Sequence, residues 1–196
     1  MSNINPIPPD AKRVFKGVIF EVWQWDQKMF DGSVQTFERL KRSNSTQVIP
    51  VVGDKILIQT EEQPNTKHPF SSIPGGRCDE AESPLDAAKR ELLEETGYIS
   101  KDWSLWQECN PVGKIEWTVF TYIARDCILK KTPDIDAGEK ISTRFVDFEE
   151  FLKIADNPLF YSPEIVPDLL RLRLEPERKE EFRKLLFDGE NQIQSI

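Results

Sequence analysis

The sequence predicts a mixed α/β (α+β) protein in which a mixed β-sheet lies between helices and an antiparallel β extension precedes it. Three observations lead to this fold class. They are an alternating apolar pattern near the start, short strand-like runs in the middle, and helical periodicity towards the end of the 196-residue chain. A period of two residues is typical of strands, and a period of 3.6 is typical of helices. A chain of this length accommodates one main domain and a small extension.

Residues 1–45 are expected to form the N-terminal extension. The run KRVFKGVIFEVWQW at 12–25 alternates as a strand does, FDGS at 30–33 is typical of a turn, and VQTFERLKR supplies a partner strand. A sheet this small has an apolar side but cannot bury a core of its own. We therefore expect the extension to pair with a second copy of the chain, which makes the protein a homodimer.

Residues 46–196 are expected to form the main domain with its C-terminal helices. Strand-like runs occupy 47–52, 55–60, 115–124 and 142–147. The segment DFEEFLKIA begins a helix, and residues 163–187 carry apolar side chains at helical spacing. Pro176 divides this last stretch, because proline interrupts a helix interior. The order of these elements predicts a mixed sheet with helices on both sides.

A helix is predicted at residues 84–96. Ser83 is a favourable N-cap, Pro84 suits the first helical position, and Asp86 stands at the capping-box position. Gly97 is a typical C-terminal stop. The segment between Gly76 and Gly97 holds seven acidic side chains against three basic ones, which is an unusual concentration of like charge.

Three glutamates in this helix, Glu91, Glu94 and Glu95, are spaced so that they share one face. They repel one another, and they lie at the helix end where the dipole disfavours anions. One interpretation is a solvated acidic face. The other is a divalent cation held by the carboxylates. The pair Gly75–Gly76 favours the cation, because it brings a flexible backbone carbonyl close to the helix.

The spacing of these residues resembles the signature box of the Nudix hydrolases. Gly76 is followed after five residues by Glu82, and after seven more by Arg90-Glu91-Leu92; one further residue then precedes Glu94-Glu95, and another precedes Gly97. Every charged and glycine position of the box is matched. The final position is Tyr98, where an aliphatic residue is usual. The resemblance implies the Nudix fold and the cleavage of a nucleoside diphosphate linked to another group.

The resemblance also implies the roles of the box residues. The metal is expected to be Mg²⁺, with Mn²⁺ as a substitute, since magnesium prefers oxygen ligands and binds substrate phosphates directly. Such an ion neutralises the diphosphate and lowers the pKa of the attacking water. Glu82 and Arg90 are expected to pair and to hold the loop onto the helix. The implied metal ligands are the carbonyl of Gly75 and the carboxylates of Glu91, Glu94 and Glu95.

The catalytic base is expected either inside the box, at Glu94, or in the acidic segment DIDAGEKI at 134–141. Metal-bound carboxylates are poor proton acceptors, because a nearby cation lowers their pKa. Asp134, Asp136 and Glu139 are therefore further candidates, and Glu139 matches the position where related enzymes carry their base. The alternative interpretation of this segment is an exposed acidic loop.

The N-terminal extension and its entry into the main domain resemble the Nudix subgroup that hydrolyses ADP-ribose and other nucleoside diphosphate sugars. The segment NPVG at 110–113 is similar to a Ser-Pro-Gly-type loop of that subgroup. Where the subgroup often carries an arginine, this chain has Pro64-Asn65, and His68 either replaces that contact or lies in an exposed loop. The aromatic residues among the implied substrate contacts could instead pack at a dimer interface. The implied substrate contacts are Trp23, Trp25, Phe30, Glu38 and Arg39.

Composition narrows the function classes. The net charge is −8 and the sequence pI is near 4.9, which argues against a broad nucleic-acid-binding face. No run approaches membrane length, and the start MSNINPIPPD lacks the features of a signal peptide. Cys78, Cys109 and Cys127 have no metal-like spacing and are expected to be free thiols in a reducing cytoplasm.

Three functions are consistent with these patterns. The first is a Mg²⁺-dependent diphosphatase that acts on ADP-ribose or another nucleoside diphosphate sugar and releases a nucleoside monophosphate and a sugar phosphate. The second is a hydrolase of nucleoside triphosphates or dinucleoside polyphosphates. The third is a sensor of Nudix fold that binds a nucleotide sugar without turnover. The intact carboxylate set argues against the sensor, since binding alone does not need it.

Overall fold

The computed structural model describes residues 5–135 and 138–188. Its helices are α1 (Pro84–Thr96), α2 (Phe148–Lys153), α3 (Val166–Leu174) and α4 (Pro176–Phe187), with a 3₁₀ turn at Ile154–Asp156. Its strands are β1 (Lys12–Lys16), β2 (Glu21–Lys28), β3 (Val34–Lys41), β4 (Ser45–Val52), β5 (Lys55–Glu62), β6 (Phe70–Ser72), β7 (Gly75–Arg77), β8 (Tyr98–Ile99), β9 (Asp102–Cys109), β10 (Ile115–Glu116), β11 (Val119–Arg125), β12 (Ile128–Leu129) and β13 (Lys140–Val146).

The main sheet is mixed and runs in the order β13-β5-β4-β11-β9. Strands β4 and β11 are parallel, whereas their other neighbours are antiparallel. Strands β4 and β5 pair only where Val51 and Val52 meet Ile56 and Lys55. Beyond that point they diverge, and β6 pairs with β5 while β7 pairs with β4. The sheet is therefore forked, and the fork opens next to the glycine pair.

Helices cover both faces of this sheet. Along β4, Val48 packs with Ala88 and Leu92 of α1, whereas the next residue, Ile49, packs with the apolar side chains of α2, α3 and α4. Successive side chains of a strand point to opposite faces, so one buried strand serves two cores. This arrangement confirms the predicted mixed sheet between helices. Pro176 begins α4, which confirms that it separates the last two helices.

Helix α1 begins and ends where the sequence predicts. The hydroxyl oxygen of Ser83 accepts a hydrogen bond from the backbone N–H of Asp86 at 3.1 Å, and Pro84 is the first helical residue. Gly97 adopts the left-handed conformation with φ 75°, and its N–H donates to the carbonyl of Leu93. The two caps fix the register of the helix, and that register determines which glutamates face the fork.

The N-terminal region differs from the prediction in one respect. The single strand expected at 12–25 is a hairpin of β1 and β2, closed by a hydrogen bond from the N–H of Gly17 to the carbonyl of Phe20. The alternation continues through the turn, so the pattern alone did not reveal it. All of β1 is exposed, and Val18 at the turn is 97% exposed. Strand β3 continues the sheet, and β10 joins its far edge in parallel.

Two further differences concern the main domain. The strand expected at 115–124 is divided into β10 and β11, because the chain passes from the N-terminal sheet to the main sheet at Trp117 and Thr118. The amide oxygen of Asn44 accepts from the N–H of Thr118 at 3.0 Å and holds this crossing. Strand β9 was not predicted, since its polar and aromatic residues interleave without a strict period. In the described residues, no helix combines the length and apolar character needed to cross a bilayer.

Removal of the N-terminal sheet is expected to convert a dimer into a monomer of low solubility. A truncated chain that begins at Ser45 lacks the exposed apolar side chains of β1, β2 and β3 that are the proposed dimer contact. It also leaves β10 without β3, the strand that pairs with it, and an unpaired edge favours aggregation. Sedimentation velocity of the full-length and truncated proteins measures the change. A second truncation that begins at Arg42 keeps Asn44 and its bond to Thr118, and it should be monomeric as well. A stable full-length monomer would contradict this expectation.

Candidate active site

Glu95 lies at the fork of the main sheet and is only 8% exposed. Its Oε2 accepts hydrogen bonds from Nε2 of Gln59 at 2.9 Å and from the backbone N–H of Gly75 at 3.1 Å. Burial, together with the nearby charges of Glu91 and Glu61, raises the pKa of Glu95 to about 9. A carboxyl group in this state is neutral at pH 7 unless a cation compensates it.

Arg90 connects the loop before α1 to the glutamates of the helix. Its guanidinium donates to both oxygens of Glu82 at 3.0 Å and to the carbonyl of Arg77 at 3.1 Å. It also donates to Glu91 at 2.9 Å and to Glu94 at 3.2 Å. The Glu82 carboxylate is the main reason that the pKa of Arg90 lies above its usual range. Arg90 therefore supplies positive charge to two of the three box carboxylates.

The glycine pair allows the loop to approach both the sheet and the helix. Gly75 and Gly76 belong to β7 and pair with Gln47 and Thr46 of β4. A Cβ at Gly76 would overlap the carboxylate of Glu91, whereas a Cβ at Gly75 would overlap the carbonyl oxygen of Thr46. The backbone of the loop thus lies directly against a box carboxylate, as a shared cation site requires.

The two glycines are expected to respond differently to substitution by alanine. Gly75→Ala forces the methyl group against the β4 backbone and should cost about 1–3 kcal/mol of unfolding free energy, because backbone does not move aside easily. Gly76→Ala meets the end of the flexible Glu91 side chain, so it should preserve most of the stability and lower turnover by displacing that carboxylate. Thermal melts and kcat of the two variants, side by side, measure the difference. Equal losses of stability would contradict it.

The donor set fits a hard divalent cation. Burial raises the pKa of Glu91, as it does that of Glu95, so both carboxylates lie where positive charge is favoured. Among the described residues, no three acidic, cysteine or histidine side chains are already gathered as a metal cluster, since Arg90 and Gln59 hold the box carboxylates. Glu91 and Glu95 would hold the ion together with the Gly75 carbonyl, and the more exposed Glu94 would lie further out. Oxygen ligands of this kind suit Mg²⁺.

A cleft of about 870 Å³ opens at the fork, a size typical of ligand sites. Its lining includes Glu95, Gly75 and Gly76 from the box, and also Glu139. Nε2 of Gln63 donates to Oε1 of Glu139 at 3.3 Å. Nearby charge on Glu139 also raises the pKa of Glu91, so Glu139 lies close to the box. Asp134 is bonded through its N–H to the carbonyl of Glu94, and Asp136 lies outside the described residues.

Sequence reasoning missed a set of buried polar residues on β5 and β6. The hydroxyl of Ser72 donates to Glu61 at 2.9 Å and to the amide oxygen of Gln59 at 3.2 Å. Burial raises the pKa of Glu61, and nearby Glu139 raises it further. The signal was present in QTEEQ at 59–63, a run of polar residues that continues a strand of buried apolar ones, so that positions 59 and 61 stay on one buried face.

Arg42 and Trp117 form a second feature of the cleft that was not predicted as a site. The guanidinium carbon of Arg42 lies 4.6 Å from the centre of the Trp117 ring, a cation–π contact. The buried Nε of Arg42 has no hydrogen-bond partner within the described chain. Burial, together with the nearby charge of Arg77, lowers the pKa of Arg42. A cation in this position is available to an anionic or planar ligand.

The residues predicted as substrate contacts lie on the N-terminal sheet and do not line the cleft of the single described chain. Phe30 is fully exposed in the turn between β2 and β3. Trp25 packs against Phe37 and under the guanidinium of Arg39. Trp23 donates to Glu21, and Glu38 accepts from Gln24. The cleft instead takes Pro111 and Val112 from the NPVG segment.

Comparison with known proteins extends the resemblance beyond the box. The NUDIX domain family matches residues 41–169 of this chain. An ADP-ribose pyrophosphatase of Bacillus subtilis (strain 168) is 24% identical over 153 residues, which cover 76% of this chain and 83% of the relative. A methanol dehydrogenase activator of Bacillus methanolicus is 22% identical over 174 residues, which cover 86% of this chain and 93% of the relative.

The fold is also that of a solved structure. A crystal structure of an ADP compounds hydrolase superimposes with a TM-score of 0.71 at 20% identity and covers 93% of this chain and 100% of that one. At this identity the likeness shows the fold alone. The family match, however, covers more than half of the chain and includes the whole box, from Gly76 to Gly97. Together with the matched box residues on α1 and β7, it establishes that this chain belongs to the Nudix family and is a Nudix hydrolase.

Proposed function

We propose that the protein hydrolyses the diphosphate bond of ADP-ribose or another nucleoside diphosphate sugar in a Mg²⁺-dependent reaction. The products are a nucleoside monophosphate and a sugar phosphate. The observation that carries this proposal is the composition of the cleft, where buried carboxylates lie at the fork and the Arg42–Trp117 pair lies elsewhere in the lining. The similarity to an ADP-ribose pyrophosphatase supports the choice of substrate.

Each part of the cleft has a chemical task in this proposal. Glu91, Glu95 and the Gly75 carbonyl would hold Mg²⁺, and the bound ion would neutralise diphosphate charge and lower the pKa of the attacking water. Arg42 lines the cleft, and its guanidinium donates to a phosphate oxygen of the substrate. Trp117 keeps the guanidinium in place from the opposite side.

Glu139 is the proposed general base. Its carboxylate takes the proton from the attacking water, and the hydrogen bond from Gln63 to Oε1 orients it. Glu94 is the alternative within the box, but Arg90 already donates a hydrogen bond to one of its oxygens. Glu82 and Arg90 keep the loop on the helix, which is a positioning role.

The protein is further proposed to act as a cytoplasmic homodimer. The exposed apolar side chains of the N-terminal sheet support association, because a monomer seldom leaves so many together in water. In a dimer, Trp23, Trp25, Phe30, Glu38 and Arg39 could reach the cleft of the other copy. The free thiols of Cys78, Cys109 and Cys127 suit a reducing compartment.

A substrate panel with identification of both products tests the proposal. The purified protein is incubated with Mg²⁺ and ADP-ribose, ADP-glucose, GDP-mannose, ATP or a dinucleoside tetraphosphate. Formation of a nucleoside monophosphate and a sugar phosphate in equal amounts is expected for at least one nucleotide sugar. Preferential cleavage of ATP or the tetraphosphate would instead establish the second function considered above. Tight binding without turnover would indicate a sensor.

A further inference from the structure

Glu164 is a cleft residue to which the proposed chemistry gives no task. It lies in the loop before α3 and is half-buried. Within the described part of the chain, the only hydrogen bond that favours its ionised form comes from its own backbone N–H, and burial raises its pKa. A carboxylate that is partly removed from water and has only one donor is energetically unfavourable. Donors on a ligand would remove that cost.

Glu164 lies on the side of the cleft away from the box. Its charge contributes to raising the pKa of Cys109, the last residue of β9, so the two side chains are close. Cys109 is in register with Val119, Val119 with Ser45, and Ser45 with Arg77. Three strand spacings therefore separate Cys109 from the β7 strand that carries the glycine pair, which is about 14 Å.

The surroundings of Glu164 in the cleft indicate what kind of group it receives. Pro111, Val112 and Pro163 also line the cleft, and their side chains carry no hydrogen-bond donor for the carboxylate. An ionised carboxylate has two acceptor oxygens and no donor. A vicinal diol presents two adjacent O–H donors and carries no charge. Glu164 and the fork line the same cleft, so a substrate whose diphosphate lies at the fork can place a sugar near Glu164.

We propose that Glu164 is a specificity-determining residue that accepts hydrogen bonds from a vicinal pair of sugar hydroxyls on the substrate. This inference rests on the proposed function. The diol belongs either to the nucleoside ribose or to the sugar on the other side of the diphosphate. Both sources offer the same pair of donors, and Glu164 selects substrates that retain them.

Coupling between a side-chain change and a substrate change tests the inference. Wild type and Glu164→Gln are assayed on ADP-ribose, on its analogue without the 2′-hydroxyl of the adenosine ribose, and on its analogue without the 2″-hydroxyl of the terminal ribose. Glu164→Gln should raise KM for ADP-ribose about tenfold, with a smaller change in kcat, because a charge-assisted hydrogen bond is lost in binding. For one of the two analogues, KM with wild type should be raised about as much as Glu164→Gln raises it for ADP-ribose. With that analogue, the variant should then show little further rise in KM. That analogue identifies which ribose Glu164 contacts.

Glu108→Gln is the matched control. It removes one negative charge, as Glu164→Gln does, and Glu108 is an exposed residue beside Cys109 on β9. Thermal melts should show both variants folded, and Glu164→Asp should restore part of the discrimination. Additive losses for both analogues would overturn the inference, and so would coupling to the base when inosine replaces adenosine. Either of these two outcomes would overturn the role of Glu164 without affecting the proposed function, because wild type would still hydrolyse ADP-ribose. If wild type neither binds nor cleaves any nucleoside diphosphate sugar, both proposals fail.

Discussion

Glu95→Gln is expected to lower kcat by at least a hundredfold and to raise the melting temperature of the metal-free protein. The loss of turnover follows because a catalytic metal ion contributes several kcal/mol and Glu95 is its most buried proposed ligand. The gain in stability follows because glutamine keeps an acceptor for Gln59 and Gly75 and carries no charge to bury. Turnover is measured at saturating Mg²⁺, and melting is measured in a chelator.

The gain in stability should depend on pH in a defined way. The pKa of Glu95 is raised to about 9 in the folded protein from its ordinary value of 4.5, so the folded chain holds a proton that the unfolded chain releases. The free energy of unfolding therefore falls as pH rises between these two values, by an amount on the order of a few kcal/mol in total. Glu95→Gln removes this pH-dependent fall in the free energy of unfolding, because glutamine does not titrate. The variant should exceed wild type clearly at pH 8 and hardly at all at pH 4.

Two controls separate the metal site from general damage. Glu80→Gln removes a carboxylate from the loop before α1 at an exposed position outside the proposed ligand set, and it should change neither kcat nor melting. Wild-type melting in excess Mg²⁺ should rise, whereas that of Glu95→Gln should rise less. Near wild-type kcat for Glu95→Gln at saturating Mg²⁺ would refute Glu95 as a metal ligand.

Glu139→Gln is expected to cut kcat by about a hundred- to ten-thousandfold and to leave Mg²⁺ affinity nearly unchanged. This is the usual cost of losing a general base. Glu139 lines the same cleft as Glu95 and Gly75, and its charge raises the pKa of Glu91, so its carboxylate lies near the proposed ion site. Single-turnover rates report the chemical step, and titration with Mg²⁺ reports the affinity.

Other acidic residues near the box provide the comparison. Asp134 is exposed and forms an ion pair with Lys131, and Asp134→Asn should have little effect. Asp136→Asn, outside the described residues, should have little effect as well. If Glu139→Gln retains most of its activity while Glu94→Gln does not, the base lies within the box. If only Glu61→Gln among these variants loses its turnover, the buried carboxyl of Glu61 on β5 is the base instead.

The local features of this site could be predicted from the sequence. Caps, glycines and the i, i+3, i+4 spacing are properties of adjacent residues, so Ser83, Gly97 and the acidic face of α1 could be predicted within one residue. Gly76 could be assigned as the first residue of the signature box for the same reason. The signature box is a continuous segment, and its chemistry depends on short spacings.

Contacts between distant strands were harder to predict. Gln59 meets Glu95 across 36 residues, and Arg42 meets Trp117 only because β10 joins the N-terminal sheet. The hairpin at Gly17 was hidden because a period of two continues through a tight turn. Such features depend on how strands pair, and strand pairing is not encoded in a local pattern.

The guanidinium of Arg90 gives the protein a resident counter-ion. Because it bonds Glu91 and Glu94 as well as Glu82, much of the repulsion on the acidic face is compensated before any divalent ion arrives. Many small metalloproteins unfold when their ion is removed, since binding energy and folding energy are then the same quantity. Here the scaffold should persist through cycles of ion release. An incoming ion must compete with Arg90 for Glu91, which weakens the affinity for the ion. The same contact keeps the protein folded when the ion is released.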